Sequence, residues 1–165
     1  MIEQDYIMRM ISMLTAAIVK LIDQRKRKEF PEALTTVDTA CRHLLGADSA
    51  VLAALSDVQL IEFYRRDPNT GPVRWYALGV LLQEKGRILG ELGREAEVPA
   101  IEEKSLSLLL EALREMEKPL EADHCDRVEE LIRRLESVEL APHILPKVAW
   151  YYEWRGRSQE AVAPH

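Results

Sequence analysis

Ile7-Met8-Arg9-Met10-Ile11-Ser12-Met13-Leu14-Thr15-Ala16-Ala17-Ile18-Val19-Lys20-Leu21-Ile22 decides the fold class. Its large apolar residues Ile7, Ile11, Leu14, Ile18, Leu21 and Ile22 return every three or four positions, the period of an α-helix. The spacing predicts a helix from about Ile2 to Arg27. Met8, Met10, Met13, Ala16, Ala17 and Val19 widen the apolar stripe beyond what one neighbour needs, so the helix is expected to be central or shared with another chain. Ile7, Met10, Ile11, Leu14 and Ile18 are therefore the candidate self-association residues, and a homodimer is the expected assembly.

The rest of the chain reads the same way. Phe30-Pro31-Glu32 opens a second helix, whose inner face is Ala33, Leu34, Val37, Ala40, Cys41, Leu44 and Leu45 and whose stop is Gly46. Asp48 to Arg66 divides into two short helices, because Ser56-Asp57-Val58-Gln59 has the capping-box pattern just before Leu60 and Ile61. Asp67-Pro68-Asn69-Thr70-Gly71-Pro72 is the strongest turn signal and separates halves 1–66 and 73–165 of one domain. Further helices are expected over about Val73–Leu92, Pro99–Glu117, Leu120–Val138 and Pro142–Arg155, each proline lying in a first turn. No stretch alternates with period two, so the prediction is an all-α fold of about seven helices and no sheet.

Composition narrows the function. The 165 residues suit a single domain, and the formal charge of −6 disfavours a general nucleic-acid binder, which needs a basic surface to neutralise phosphates. The acidity is concentrated between Glu91 and Glu139, where 15 acidic residues face 7 basic ones. A charged partner would accordingly be a basic one. Cys41 and Cys125 are too few for a disulfide framework, and Met1-Ile2-Glu3-Gln4-Asp5 is acidic where a secretory leader is basic, so the expected compartment is the cytoplasm. Arg9 and Lys20 interrupt the apolar run from Tyr6 to Ile22, which is too short and too charged for stable membrane insertion. With Arg25-Lys26-Arg27-Lys28 beside it, a membrane-surface adaptor remains one alternative.

Trp75-x-x-Leu78-Gly79-x-x-Leu82-x-x-x-Gly86 resembles the first helix of a tetratricopeptide repeat, in which a small residue admits the paired helix. Val148-Ala149-x-x-Tyr152-x-x-x-Gly156-x-x-x-x-Ala161 is similar to the same helix, and Phe30-x-x-Ala33-x-x-x-Val37-x-x-Ala40 to the second. Ile2-Glu3-Gln4-Asp5-Tyr6-Ile7-Met8-Arg9-Met10-Ile11 resembles the opening of a bacterial domain family of unknown function. Together the resemblances imply a bacterial, tetratricopeptide-like array of antiparallel helix pairs and supply no catalytic residue.

If the repeat pattern is followed, Trp150, Glu153 and Trp154 match positions lining a concave groove, as do Tyr76, Gln83 and Glu84. Aromatics beside carboxylates suit a protein or peptide partner. Packing of the two tryptophans inside the domain fits the same spacing. The competing chemistry is a small metal-dependent or acid–base enzyme at His124 and Cys125, with Cys41-Arg42-His43 as possible further ligands. Those doublets lack the close pairing of zinc ligands, and a buried cysteine behaves as a small hydrophobe. The leading expectation is a non-catalytic interaction or scaffold module with no catalytic residue, no cofactor and no metal.

Overall fold

The computed structural model describes residues 2–162, and their side chains from 4 to 158. The side chains of Ile2, Glu3 and Ala161, which entered the resemblances above, lie outside that set. Eight α-helices follow in order: α1 (Ile2–Lys26), α2 (Phe30–Leu45), α3 (Ser49–Ala53), α4 (Asp57–Arg65), α5 (Gly71–Glu91), α6 (Val98–Met116), α7 (His124–Arg134) and α8 (Leu145–Val162). A single 3₁₀ turn, Glu95–Glu97, leads into α6, and among the described residues there is no strand.

Local chemistry sets the ends as expected. Gly46 closes α2 in the left-handed conformation at φ 82°, its N–H returning to the Arg42 carbonyl. The Ser56 hydroxyl accepts the Gln59 N–H and the Gln59 side chain takes the Ser56 N–H, so the capping box that separates α3 from α4 is formed. Two helix ends differ from expectation, α7 stopping at Arg134 rather than near Val138 and α8 running on to Val162 rather than Arg155, and so do three starts. Gly71-Pro72 opens α5 instead of remaining in the turn, because proline fits a first turn and a Cβ at Gly71 would lie 2.8 Å from the Tyr64 carbonyl oxygen. α7 begins at His124 rather than near Leu120, and the Leu120 N–H is taken by the His124 ring. α8 begins at Leu145, since Ala141 to Ile144 form a turn closed by a 2.9 Å bond; Pro146, not Pro142, lies in its first turn.

The helices surround α5. It is buried at nearly every position from Gly71 to Leu89, packs most extensively on α6, and also meets α2, α4 and α1, while α7 and α8 rest on α6. A helix buried on nearly all sides belongs in the middle of a domain, and the polar Gln83 and Glu84 that it buries there have partners within the chain. α6 approaches most closely at Gly79, where an added Cβ would lie 2.7 Å from Leu109 Cγ. The aromatics at the centre hide their rings and satisfy their polar tips: Trp75 Nε1 donates to the Ile61 carbonyl at 3.2 Å and the Tyr64 hydroxyl to that of Leu45 at 2.7 Å.

Candidate functional site

The six residues expected to line one groove are not together. Tyr76, Gln83 and Glu84 face inward and are at most 2% exposed, because α1 and α7 cover the side of α5 that the repeat pattern would leave open. The Tyr76 hydroxyl donates to Glu121 at 2.7 Å and its ring lies on His124. Gln83 exchanges hydrogen bonds with Arg127, donating to its carbonyl and accepting from its guanidinium at 2.8 Å. Glu84 is met by three arginines from three helices: Arg87 at 2.6 Å, Arg127 at 3.6 Å and Arg25 at 3.7 Å. These three residues form a clasp joining α1, α5 and α7. On α8, Trp150 and Trp154 stack on one another with centroids 5.7 Å apart, half-buried against the core, while exposed Glu153 pairs with Arg157.

His124 is also structural. It is fully buried, its Nδ1 accepts the Leu120 N–H at 3.1 Å, and Nε2 lies 2.9 Å from the Leu109 carbonyl, to which it donates in the tautomer those partners require. Both nitrogens are occupied, so the ring is neither a general base open to substrate nor a free metal ligand, and Cys125 beside it is buried. Among the described residues no group of three or more His, Cys, Asp or Glu is placed to hold a metal. Burial pulls the His124 pKa down from 6.5 to about 4, against the pull of the Leu109 carbonyl. The unfolded chain therefore takes up this proton first as the pH falls. The contribution is fully present above pH 6.5 and disappears progressively toward pH 4, a loss of about 2 kcal/mol by pH 5. Urea midpoints of the wild type are expected to fall between pH 7 and pH 5, and those of His124→Asn, which can accept the Leu120 N–H without titrating, to fall much less. Equal wild-type midpoints at the two pH values would refute the assignment.

A second buried polar group ties α4, α6 and α8 together. The Ser107 hydroxyl donates to Asp57 at 2.6 Å, Lys147 Nζ donates to Ser107 and pairs with Glu111, both at 3.0 Å, and His143 Nε2 meets Asp57 at 2.7 Å. Serine, lysine, histidine and aspartate are residue types of nucleophilic catalysis, but Ser107 is fully buried with its hydroxyl engaged on both sides. Burial raises the Asp57 pKa and the Ser107 and His143 bonds more than offset it, leaving the carboxyl below its ordinary range.

The expected self-association residues hold α1 to its own body. Met10 and Leu14 are buried, and Ile7, Ile11 and Ile18 are half-buried against the same core. The outer side of α1 nonetheless keeps large apolar residues in the open among its charged ones, with Met8 and Val19 each 61% exposed and Met13 40%. Next to Met13 runs a groove of about 500 Å³ between α1 and α2. Its floor is Ala17, Ala40 and Leu44, with Ala16 and Met13 on one wall and Thr35 and Thr39 on the other. Two of its threonines have internal partners: Thr36 Oγ1 donates to Gln24 at 2.8 Å and lies 3.1 Å from the Glu32 carbonyl, and Thr35 donates to that of Pro31 at 3.2 Å; Lys20, Glu32 and His43 bring further polar groups to the lining. The bed is more apolar than polar. Sequence reasoning missed it because each helix was read for its own inward face. The available signal was the run of small residues Ala16-Ala17 facing Thr36 and Ala40, which cannot fill the space between two helices.

The charged features are largely spent internally. Arg25, first of the basic cluster after α1, turns in to Glu91 and Glu84, and Arg27 pairs with Asp23. In the acidic half, Glu102 pairs with Arg134, Glu130 with Arg87, and Glu111 with Arg65, Arg114 and Lys147. Among the described residues no helix is long and apolar enough to cross a membrane. In comparisons with known proteins, no family model, no curated protein and no solved structure matches this chain.

Proposed function

We propose that this protein is a helical interaction module that receives an amphipathic helix of a protein partner in the groove between α1 and α2. The observation that carries the reading is the groove itself, a mostly apolar bed of about 500 Å³ whose Thr35 and Thr36 hydroxyls are satisfied from within and whose rim runs into the exposed Met13. A helix laid there would bury methyl-rich surface along the bed and meet Lys20, Glu32 and His43 with polar residues of its own, as an amphipathic helix does in helix-in-groove recognition. Close helix pairing at Gly79 supports the tetratricopeptide-like scaffold inferred from the repeat fragments. Two free, buried cysteines suit the reducing cytoplasm.

A photo-crosslinking side chain at Thr35, on the groove wall, is expected to give discrete protein adducts in cell extract, and one at Glu62 on exposed α4 none. Filling the groove with Thr39→Trp should abolish the Thr35 adducts while leaving the helical circular dichroism unchanged. Equal adduct patterns at Thr35 and Glu62, or adducts indifferent to Thr39→Trp, would reject the groove as the binding surface.

A further inference from the structure

Resting on that reading of the α1–α2 face as an interaction surface, we propose that a partner on this face is a second copy of this chain, whose α1 lies antiparallel along the outer ridge of the first, beside the groove, with the two-fold axis at Ala16. The outer ridge of α1 carries Asp5, Arg9, Ala16, Asp23 and Arg27, all exposed. At 100° per residue these five fall within an arc of about 40°, so they form one stripe along the helix. Arg27 lies just past the last helical residue, and its N–H still bonds the Asp23 carbonyl at 3.1 Å, which keeps it in step.

The charges on this stripe are opposite in sign about Ala16. Arg9 and Asp23 each lie seven residues from it, and Asp5 and Arg27 each eleven. In an antiparallel pair centred there, Arg9 of each copy faces Asp23 of the other, and Asp5 faces Arg27, at about 10 and 16 Å along the axis from the centre. Lys20 faces Ser12, so no like charges meet on the ridge. Moving the axis by two residues toward either terminus places Asp5 on Asp23 or Arg9 on Arg27, and a parallel pair places every charge on its own kind. The pattern thus selects one register and one direction and penalises the neighbouring ones.

Exposed ion pairs fix geometry more than they supply affinity. The affinity comes from apolar surface: Met13 and Val19 flank the ridge, small Ser12 and Ala16 at the centre allow close approach, and the groove lies alongside. Within one chain Asp23 and Arg27 already pair at 3.2 Å, four residues apart, so the ridge is poised to exchange an intrahelical partner for one across the axis.

The deciding experiment compares the wild type with the charge-reversed variant Asp5→Arg/Arg9→Asp/Asp23→Arg/Arg27→Asp, which keeps the intrahelical pairs and the symmetry. Sedimentation at concentrations up to about 100 μM is expected to show each protein as a dimer. Mixed together, the two should form heterodimer at least about tenfold below the statistical amount, because every cross-axis pair becomes like-charged. A wild type that stays monomeric, or free mixing of the two proteins, overturns the proposal. If the reversed variant does not fold, mild oxidation of single cysteine variants decides instead, since the native cysteines are buried. Ala16→Cys, on the axis, should form a disulfide dimer; Ser12→Cys, about 12 Å along the helix from its mate, should not. Equal behaviour of the two refutes the register. Should the wild type be monomeric while Thr35 still crosslinks to other proteins, the second-copy partner fails and the interaction module stands.

Discussion

Glu84→Gln is expected to lower stability by about 3 kcal/mol, one of the largest losses available from a single substitution in this protein. The carboxylate is fully buried and is the common partner of Arg25, Arg87 and Arg127, the last with a side chain only 9% exposed. Neutralising it leaves the three guanidinium groups with one carboxylate each, Arg25 with Glu91, Arg87 with Glu130 and Arg127 with Asp123, and removes the fully buried charge on which they converge, the costly outcome when one partner of such a group is lost. The amide keeps the volume and can still accept a hydrogen bond, so the loss reports charge rather than packing. Combining Glu84→Leu with Arg127→Met should restore part of it, because the most buried of the three guanidinium groups is removed with the carboxylate while Arg25 and Arg87 keep Glu91 and Glu130. Urea unfolding at pH 7 measures both variants; a Glu84→Gln midpoint corresponding to less than about 0.5 kcal/mol of loss would show that the arginines are compensated elsewhere.

Packing sets the other large effect. Gly79→Val should destabilise by more than about 3 kcal/mol and Gly79→Ala by about 1 to 3, because the new Cβ would lie 2.7 Å from Leu109 Cγ and Cδ2 and 3.3 Å from its backbone nitrogen. Leu109 is fully buried and cannot swing aside, and the same turn is pinned by Ser105 donating to the Gly79 carbonyl at 2.6 Å. Helix propensity works against this loss, since alanine is favoured over glycine by about 1 kcal/mol, so steric overlap must exceed that gain for the sign to be destabilising. Two controls isolate the overlap. Gly90→Ala, in the last turn of α5 with nothing within 4 Å of its Cβ, should stabilise slightly. In a Leu109→Ala background Gly79→Ala should cost much less, only the backbone nitrogen contact remaining, and an undiminished cost there would move the clash to another neighbour.

Both positions show what kind of information each level carried. Gly79 was legible as a close-approach glycine within a helix, because Trp75, Leu78 and Leu82 surround it at helical spacing. Glu84 was legible only as a polar residue on the supposed outer face, and its placement in a groove was overturned. The groove placement rested on an open side of α5. α5 is wrapped by α1, α2, α4 and α6, and α7 reaches its Gln83 and Glu84 through Arg127, so no side of it is open. His124 and the expected self-association residues of α1 were displaced for the same reason: an apolar or aromatic position says that something covers it, and not whether the cover is the same chain, a ligand or another copy.

By itself the sequence determined the all-helical class, the Gly46 stop, the capping box at Ser56 and the division of Asp48 to Arg66, because periodicity and caps involve residues within about four positions of one another. It also contained the charge order of Asp5, Arg9, Asp23 and Arg27, although nothing local says which side of the helix is outermost. Only the tertiary structure decided that α5 is central, that Glu84 joins three helices, and that α1 turns Met10 and Leu14 inward while leaving Met13, Ala16 and Val19 outside. The groove between α1 and α2 belongs to neither helix alone: it exists because small residues on two separate segments meet, and the space left between facing side chains is fixed by how the helices cross and not by the order of residues along either one.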